Sequence, residues 1–464
     1  MKKFAVLGLA VVLVIAFTVP ATAFESVFGG YWRTRAYMQK NFSGNDYNDA
    51  QVADLVDEAI AEGLLDEGDR AAAIAKLRNK NRTLVDTRTR LYYTAIFNEN
   101  LKFVNKFEMD AAWGDNRIDR SAGYGDIGAD GVKIEVKNSY VDFTLGAVNS
   151  KIGVQSYKLG RGFLFNDDFA GAVITYKAEA FELPIFWIKA YEDIDDRNGD
   201  VDYYGIAPKF SLGDTGAVQP FFVWATSDDA NDYNALTNLA GASVGWPVLG
   251  ATLEDLDIFY VGFDADLNFD PISVWLTVMY QFGSVDTLDA GSVDVDAWLA
   301  AIGAKVDFDT FDLHGQIFYA SGDSDDDSDL ENFIPLKGQD YHWAEIMGAG
   351  LFDNAGWSNN ASNNAPGFNN ITNILAYNLG ANFKVMDDLT LRADLWYAEI
   401  LEAGDLILDE PLGFEVDLGL TYKIMDNLNL DVVAAYLFAD DGTTLGVDND
   451  ENPYEIGAQL SLSF

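Results

Sequence analysis

Basic side chains recur at alternate positions along the first third of this 464-residue chain: Arg33 and Arg35, Arg88 and Arg90, Lys102 and Lys106, Lys133 and Lys137, then Lys151 and Arg161. In an extended strand alternate residues share a face. Sequential strands that pair with one another would therefore assemble these cations into a ladder on one wall. Carboxylates hold comparable positions later in the chain, at Asp264, Asp266, Asp312, Asp394, Glu415, Asp417 and Asp431. Opposed charged walls around a narrow aqueous space set a transverse field, and rings of charge decide which ions pass. A blander reading is also open: inward polar residues solvate a lumen and pair with one another, as Glu108, Asp110 and Glu135 could with the lysines beside them.

Covalent chemistry has no comparable signal. The only histidines, His314 and His342, lie far apart in sequence, and neither sits near a candidate nucleophile. No Ser-His-Asp arrangement, Gly-rich phosphate loop or HExxH is present. With no cysteine there are no disulfides, thiolate metal sites or haem-attachment motifs. Acidic runs at 193–202, 323–331 and 448–451 invite a calcium reading, but none has EF-hand spacing, since Arg197 stands at a ligand position. Solvated loops are the simpler assignment, and no cofactor or metal is implied.

The elements that must position the charges are strands. The last stretch, YEIGAQLSLSF (454–464), puts Tyr454, Ile456, Ala458, Leu460, Leu462 and Phe464 on one face and polar or small residues on the other. Eleven residues at period two match a tilted strand crossing a bilayer. An exposed apolar edge at a chain end invites pairing with other chains, whereas a closed barrel has no edge. Read for alternation between turn residues, the chain resolves into about eighteen strands, with sixteen as the alternative. Short connections such as 98–100, 143–144, 270 and 386–388 alternate with longer ones such as 39–83, 156–168, 227–256, 322–370 and 439–452. The expected fold is an all-β, transmembrane, antiparallel up-and-down barrel.

Two long connections differ from the rest. In 39–83, residues 48–80 carry helical spacing, with a split at Gly63 and Gly68, so a helical insertion is expected as a rim cap or a constriction. The 322–370 connection begins DSDDDSDLE and ends rich in Asn, and either lies across the mouth or moves freely. The hairpin sequences LGANFKVMDDLTL (379–391) and LGLTYKIMDNLNL (418–430) form an internal repeat.

Residues 1–23 read as a cleaved signal peptide: Lys2 and Lys3, an apolar run from Phe4 to Phe17, and Ala21-Thr22-Ala23 as the cleavage site. A single domain is expected over 24–464. The formal net charge of −44 is uneven, with 23 Lys and Arg against 30 Asp and Glu in 24–210, but 5 against 44 in 211–464. That balance excludes a nucleic-acid binder.

A terminal Phe464 on an alternating strand resembles the recognition signal of bacterial outer-membrane barrels. The segments VDFTLGAVNSKIGVQ (141–155) and LGRGFLFNDDFAGAVITY (159–176) resemble the alginate-export and phosphate-selective porin families. FGGYWRTRAY (28–37) and VDTRTRLYYTA (85–95) resemble the Arg-bearing early strands of such porins. Val154 stands in G-V-Q where those families place an Arg. The resemblance implies an outer-membrane channel of a Gram-negative bacterium and no particular substrate. Its implied partners are membrane lipid and lipopolysaccharide, the barrel-assembly machinery and small solutes, with the protein as a monomer or homotrimer. The expected function is passive diffusion of small hydrophilic or charged solutes. The alternatives are a sheath around a partner protein and a surface adhesin. On this reading, reversing Arg33, Arg35, Arg88 and Arg90 to Glu shifts ion selectivity toward cations, which a reversal potential would report.

Overall fold

The computed structural model describes residues 24–42, 49–61, 70, 74, 81–114, 125, 127, 134–192, 199–228, 253–287, 291–323, 329–352, 371–402, 411–440 and 452–464. The expected signal peptide, the second half of the helical insertion and Lys133 lie outside them. Eighteen strands form the wall: β1 (Glu25–Lys40), β2 (Arg82–Asn98), β3 (Leu101–Ala112), β4 (Ile134–Leu145), β5 (Val148–Leu159) and β6 (Phe165–Lys177). They continue as β7 (Phe181–Tyr191), β8 (Val201–Ile206, resuming as Lys209–Ser211), β9 (Gly216–Ser227), β10 (Leu253–Phe269), β11 (Ile272–Thr287) and β12 (Gly291–Asp307). The last six are β13 (Phe311–Ala320), β14 (Ile374–Met386), β15 (Leu389–Ile400), β16 (Pro411–Met425), β17 (Leu428–Ala439) and β18 (Tyr454–Ser463). Strand β8 is interrupted at Pro208, which has no N–H to give the ladder; both its segments pair with β7 and β9.

Every strand pairs antiparallel with its sequence neighbours, and β18 returns to β1 from Tyr31↔Ser463 to Lys40↔Tyr454. The barrel is closed, and eighteen rather than sixteen strands close it. The β4–β5 turn falls at Gly146-Ala147 instead of 143–144, and Gly146 takes a φ of 61° there. The turn moves by three residues, which changes the sum of paired positions by an even number, so Lys151 keeps its expected face opposite Asp142. The internal repeat is structural as well: β14–β15 and β16–β17 share a register shift, at Lys384/Met386 and Lys423/Met425. Each carries the same ion pair across its turn, Lys384–Asp387 (2.9 Å) and Lys423–Asp426 (3.0 Å).

Exposure shows which way the wall faces. In β12, Ala297, Leu299 and Ala301 are buried in the lumen, while Trp298 (49% exposed) and Ile302 (47%) point outward. Leu313, Ile317, Leu379, Leu395, Leu418 and Ile456 continue that outward apolar surface around the barrel. A water-facing surface rarely carries so large a continuous apolar patch. Aromatic residues ring both rims. Phe28–Tyr93, Phe181–Phe210 and Phe308–Phe311 pack together on the short-turn side. On the other side, the indole N–H groups of Trp187 and Trp224 donate to Asp202 and Asp257, each at 2.7 Å. Two aromatic belts flanking an apolar band are the outer surface a bilayer requires. No helix among the described residues is long and apolar enough to cross a membrane. The one described helix, α1 (Asp49–Ala61), lies between β1 and β2 and buries Val52 and Val56.

The seam is made at Gly30 and Phe464. Gly30 N–H donates to the Phe464 carbonyl (2.7 Å), and Phe464 N–H donates back to Gly30 (3.1 Å). A Cβ on Gly30 would collide with the Phe464 ring and approach the Arg90 carbonyl to 2.6 Å. Gly30→Val should therefore weaken closure by about 1–3 kcal/mol, the range for overpacking. A lowered urea midpoint, read by the heat-dependent gel mobility of the folded barrel, would show it; an unchanged midpoint would place the seam elsewhere.

Candidate functional site in the barrel lumen

Among the described residues, two connections turn into the lumen. The first is shorter than the sequence suggests: β5 runs through Leu159, so the expected 156–168 loop contracts to 160–164. Gly160, Arg161 and Gly162 have φ of 59°, 56° and 99°, a left-handed run that turns the chain inward. Leu159, Phe163 and Leu164 are buried as a result. The second is 329–352, from the connection expected at the mouth or mobile. It packs inside the barrel, burying Leu330, Phe333, Ile334, Leu336, Ile346, Met347 and Phe352. Residues 324–328 and 353–370 lie outside the described ones.

Specific contacts hold the second segment. Phe163 stacks on Tyr341 at 3.7 Å, joining the two inward turns. The Tyr341 hydroxyl donates to Gln316 (2.7 Å), and burial pushes it well above the usual phenol range. Trp343 meets Phe318 and Trp396 edge-on, and Phe352 stacks on Tyr37. The Ile334 carbonyl accepts from Tyr260 (2.8 Å), and Ile334 N–H donates to Gln281 (2.8 Å).

Backbone N–H groups in this turn find carboxylates on β16. Ile346 (2.6 Å) and Met347 (2.8 Å) donate to Glu415, and Glu345 donates to Asp417 (3.2 Å). Glu415 and Asp417 stand on the inward face, as alternation requires, but beneath the segment, 0% and 1% exposed. Nothing in the sequence tied them to residues seventy positions earlier.

Alternation also places the cations inside, and the structure divides them. Arg35 is buried, paired with Asp86 (2.7 Å) and donating to the Leu351 carbonyl (2.9 Å), so it holds the inward segment as well as the wall. Arg33 stands directly opposite Arg88 in the β1–β2 register. Like charges so placed repel, and Asp110, 2.6 Å from Arg88, offsets them. Arg90 pairs with Glu108. Lys137 occupies a bulge opposite β3 and reaches Asp168 at 3.1 Å. Lys106 lies 5.3 Å from the Tyr92 ring and Lys151 5.8 Å from that of Tyr140. Among the described residues, Lys102, Lys106 and Lys151 make no ion pair, and all three are partly exposed.

Basic and acidic sets meet at two places rather than standing wholly apart. Arg161 pairs with Asp266 (2.6 Å) and lies 4.6 Å over Trp275, beside Asp264, which accepts from Thr277 (2.7 Å). Lys158, Lys209 and Gln219 complete a cavity of about 230 Å³ there. Asp431 accepts from Thr421 (2.8 Å) and neighbours Gln459, which pairs with Arg35 across the seam. The remaining acids, Asp312 and Asp394, flank His314, with Nδ1 and Nε2 at 3.0 and 2.9 Å from their oxygens. Among the described residues, no group of three acidic, His or Cys side chains is arranged to hold a metal.

No family model matches the sequence, and no curated protein matches it. Solved structures do match in fold. A BenF-like porin from Pseudomonas fluorescens has a TM-score of 0.55 at 10% identity, over 95% of this chain and 99% of that one. OccAB1 from Acinetobacter baumannii gives 0.55 at 10%, over 95% and 97%. OpdQ from Pseudomonas aeruginosa gives 0.52 at 10%, over 95% and 97%. At this identity the likeness is one of fold, a large porin-type barrel. The finer resemblance to alginate-export and phosphate-selective porins is not specifically shown by it.

Glu415→Ala would leave two buried N–H groups without acceptors, a loss of about 1–3 kcal/mol each. The expected result is a folded barrel in which residues 329–352 become open to protease. Protection equal to wild type would show that the aromatic contacts alone hold the segment.

Proposed function

We propose that the protein is an outer-membrane diffusion channel for small hydrophilic or charged solutes, passing along the charged arc of β1–β5. The observation that carries this reading is the division of the lumen. From β6 to β16 the long-loop half of the inner wall is apolar and packed against the chain's own inward segments, while its short-turn half carries Asp264, Asp266, Asp312, His314 and Asp394. Along β1–β5 it carries partly exposed Arg88, Arg90, Lys102, Lys106 and Lys151. Charged groups in contact with water inside a closed wall are the lining a hydrophilic pathway needs. The fold likeness to a BenF-like porin supports the same reading.

The solute passes between the basic ladder and the inward segments, and Arg161 with Asp264 and Asp266 forms a second charged station on its way. A sheath around a partner protein would need the space that residues 329–352 fill. The outer belt of aromatic residues and the Gly30–Phe464 seam suit an outer-membrane address, with lipopolysaccharide and the barrel-assembly machinery as partners.

Of the ladder, Lys102, Lys106 and Lys151 carry the field most directly, since carboxylates neutralise Arg35, Arg88 and Arg90. A unit charge ~10 Å from a permeant ion in water contributes about 0.4 kcal/mol, roughly twofold in occupancy. Converting the three lysines to Glu should move the cation-to-anion permeability ratio several-fold toward cations while the barrel stays folded. A reversal potential equal to wild type would place the conduction path away from this arc.

A further inference from the structure

One polar chain crosses three strands without serving the ladder. His314 on β13 touches Asp312 on its own strand through Nδ1 and Asp394 on β15 through Nε2. The strand between them is β14, and the residue in register with both is Gly380. A Cβ on Gly380 would collide with both Asp394 Oδ1 and His314 Nε2, so the imidazole reaches across β14 only because that position is bare. The chain continues. Arg392 Nε lies 3.4 Å from Asp394 Oδ2, and its Nη2 pairs with Glu345 of the inward segment. Arg392 runs over Gly419, where a Cβ would stand 3.2 Å from Nε. Glu345 in turn accepts from Leu351 N–H (2.7 Å), fixing the shape of the turn itself. Asn382 donates to Asp312 and Asn378 to Asp394, each at 3.1 Å, which fixes both carboxylates.

We infer that Gly380 and His314 are positioning residues for the inward segment 329–352: the strut from His314 over Gly380 to Asp394 and Arg392 holds Glu345, and with it the width of the passage beside that segment. The inference rests on the channel reading above. It assigns a functional reason to a glycine that strand propensity alone would disfavour. A side chain at 380 cuts the strut without touching the inward segment, and Arg392, 40% exposed, is where the strut faces the lumen.

The chain has no cysteine, so Ala344→Cys, beside Glu345 and buried, reports loosening of the turn by its rate of thiol modification. That rate is measured in the full barrel with G380A, H314N or H314Q, alongside unit conductance in planar bilayers. Gln places its amide nitrogen where Nε2 stands and keeps the Asp394 contact; Asn does not reach. The expected result is modification about tenfold faster in G380A and H314N, the scale of one lost charged hydrogen bond, with H314Q near wild type. Unit conductance should rise in the same two variants. Equal modification in all forms overturns the strut, whether or not the protein conducts. Faster modification with unchanged conductance in a conducting protein also overturns the inference. Should G380A fail to fold, the contrast between H314N and H314Q decides alone. If modification follows the expected order while every form, wild type included, is electrically silent, the strut stands and the channel reading falls.

Discussion

Hydrogen-bond closure is the constraint on which everything else depends. A strand facing lipid has no water to satisfy its N–H and C=O groups, so each edge must find a partner. Here the last edge finds the first, β18 against β1, with Gly30 and Phe464 exchanging backbone bonds where the chain ends. Both termini reach the short-turn rim, which an even number of strands demands. Once the wall is closed, period-two alternation sorts the strand residues between lipid and lumen, and the apolar exterior follows from that rule.

The lumen then departs from a simple water-filled tube. Half of it is a hydrophobic core: Tyr260, Met279, Leu299, Phe318 and Ile374 line the wall, and Phe333, Ile346 and Met347 come to them from the inward segment. Each large apolar side chain buried in this way contributes about 1.5–3 kcal/mol. A loop backbone inside a barrel must also satisfy its own polar groups, and Glu415, Asp417, Gln281 and Gln339 are placed to do so. Acidic residues are thus used in two ways, as partners for cations on the ladder and as acceptors for a folded-in backbone. The backbone acceptors Glu415 and Asp417 belong to the strongly acidic second half of the chain, whereas Asp86, Glu108, Asp110 and Asp168, which pair with cations on β1–β4, belong to the first.

The wall was legible from alternation alone, down to the eighteen antiparallel strands that close it. Turn positions slipped where sequence offers two choices, as at 143–147, because the pleat constrains parity more tightly than the end of a strand. The inward segment was harder to see. Its apolar residues, Phe333, Ile334, Leu336, Trp343, Ile346, Met347, Leu351 and Phe352, sit between an acidic run and an Asn-rich run that both read as solvent-facing loop. Eight large apolar residues in one barrel connection are the signal, since a loop in water has no use for them. The contacts that Arg35 and Glu415 make with the inward segment lie 316 and about seventy residues away in sequence, separations that no local periodicity encodes.

The central claim is that a water-filled, charge-lined path remains beside the folded-in segment. Recording single-channel current from the refolded barrel in a planar bilayer with simple salt tests it most directly. The account predicts discrete, stable open steps with a selectivity set by the ladder on β1–β5. A correctly folded barrel that passes no current would contradict it.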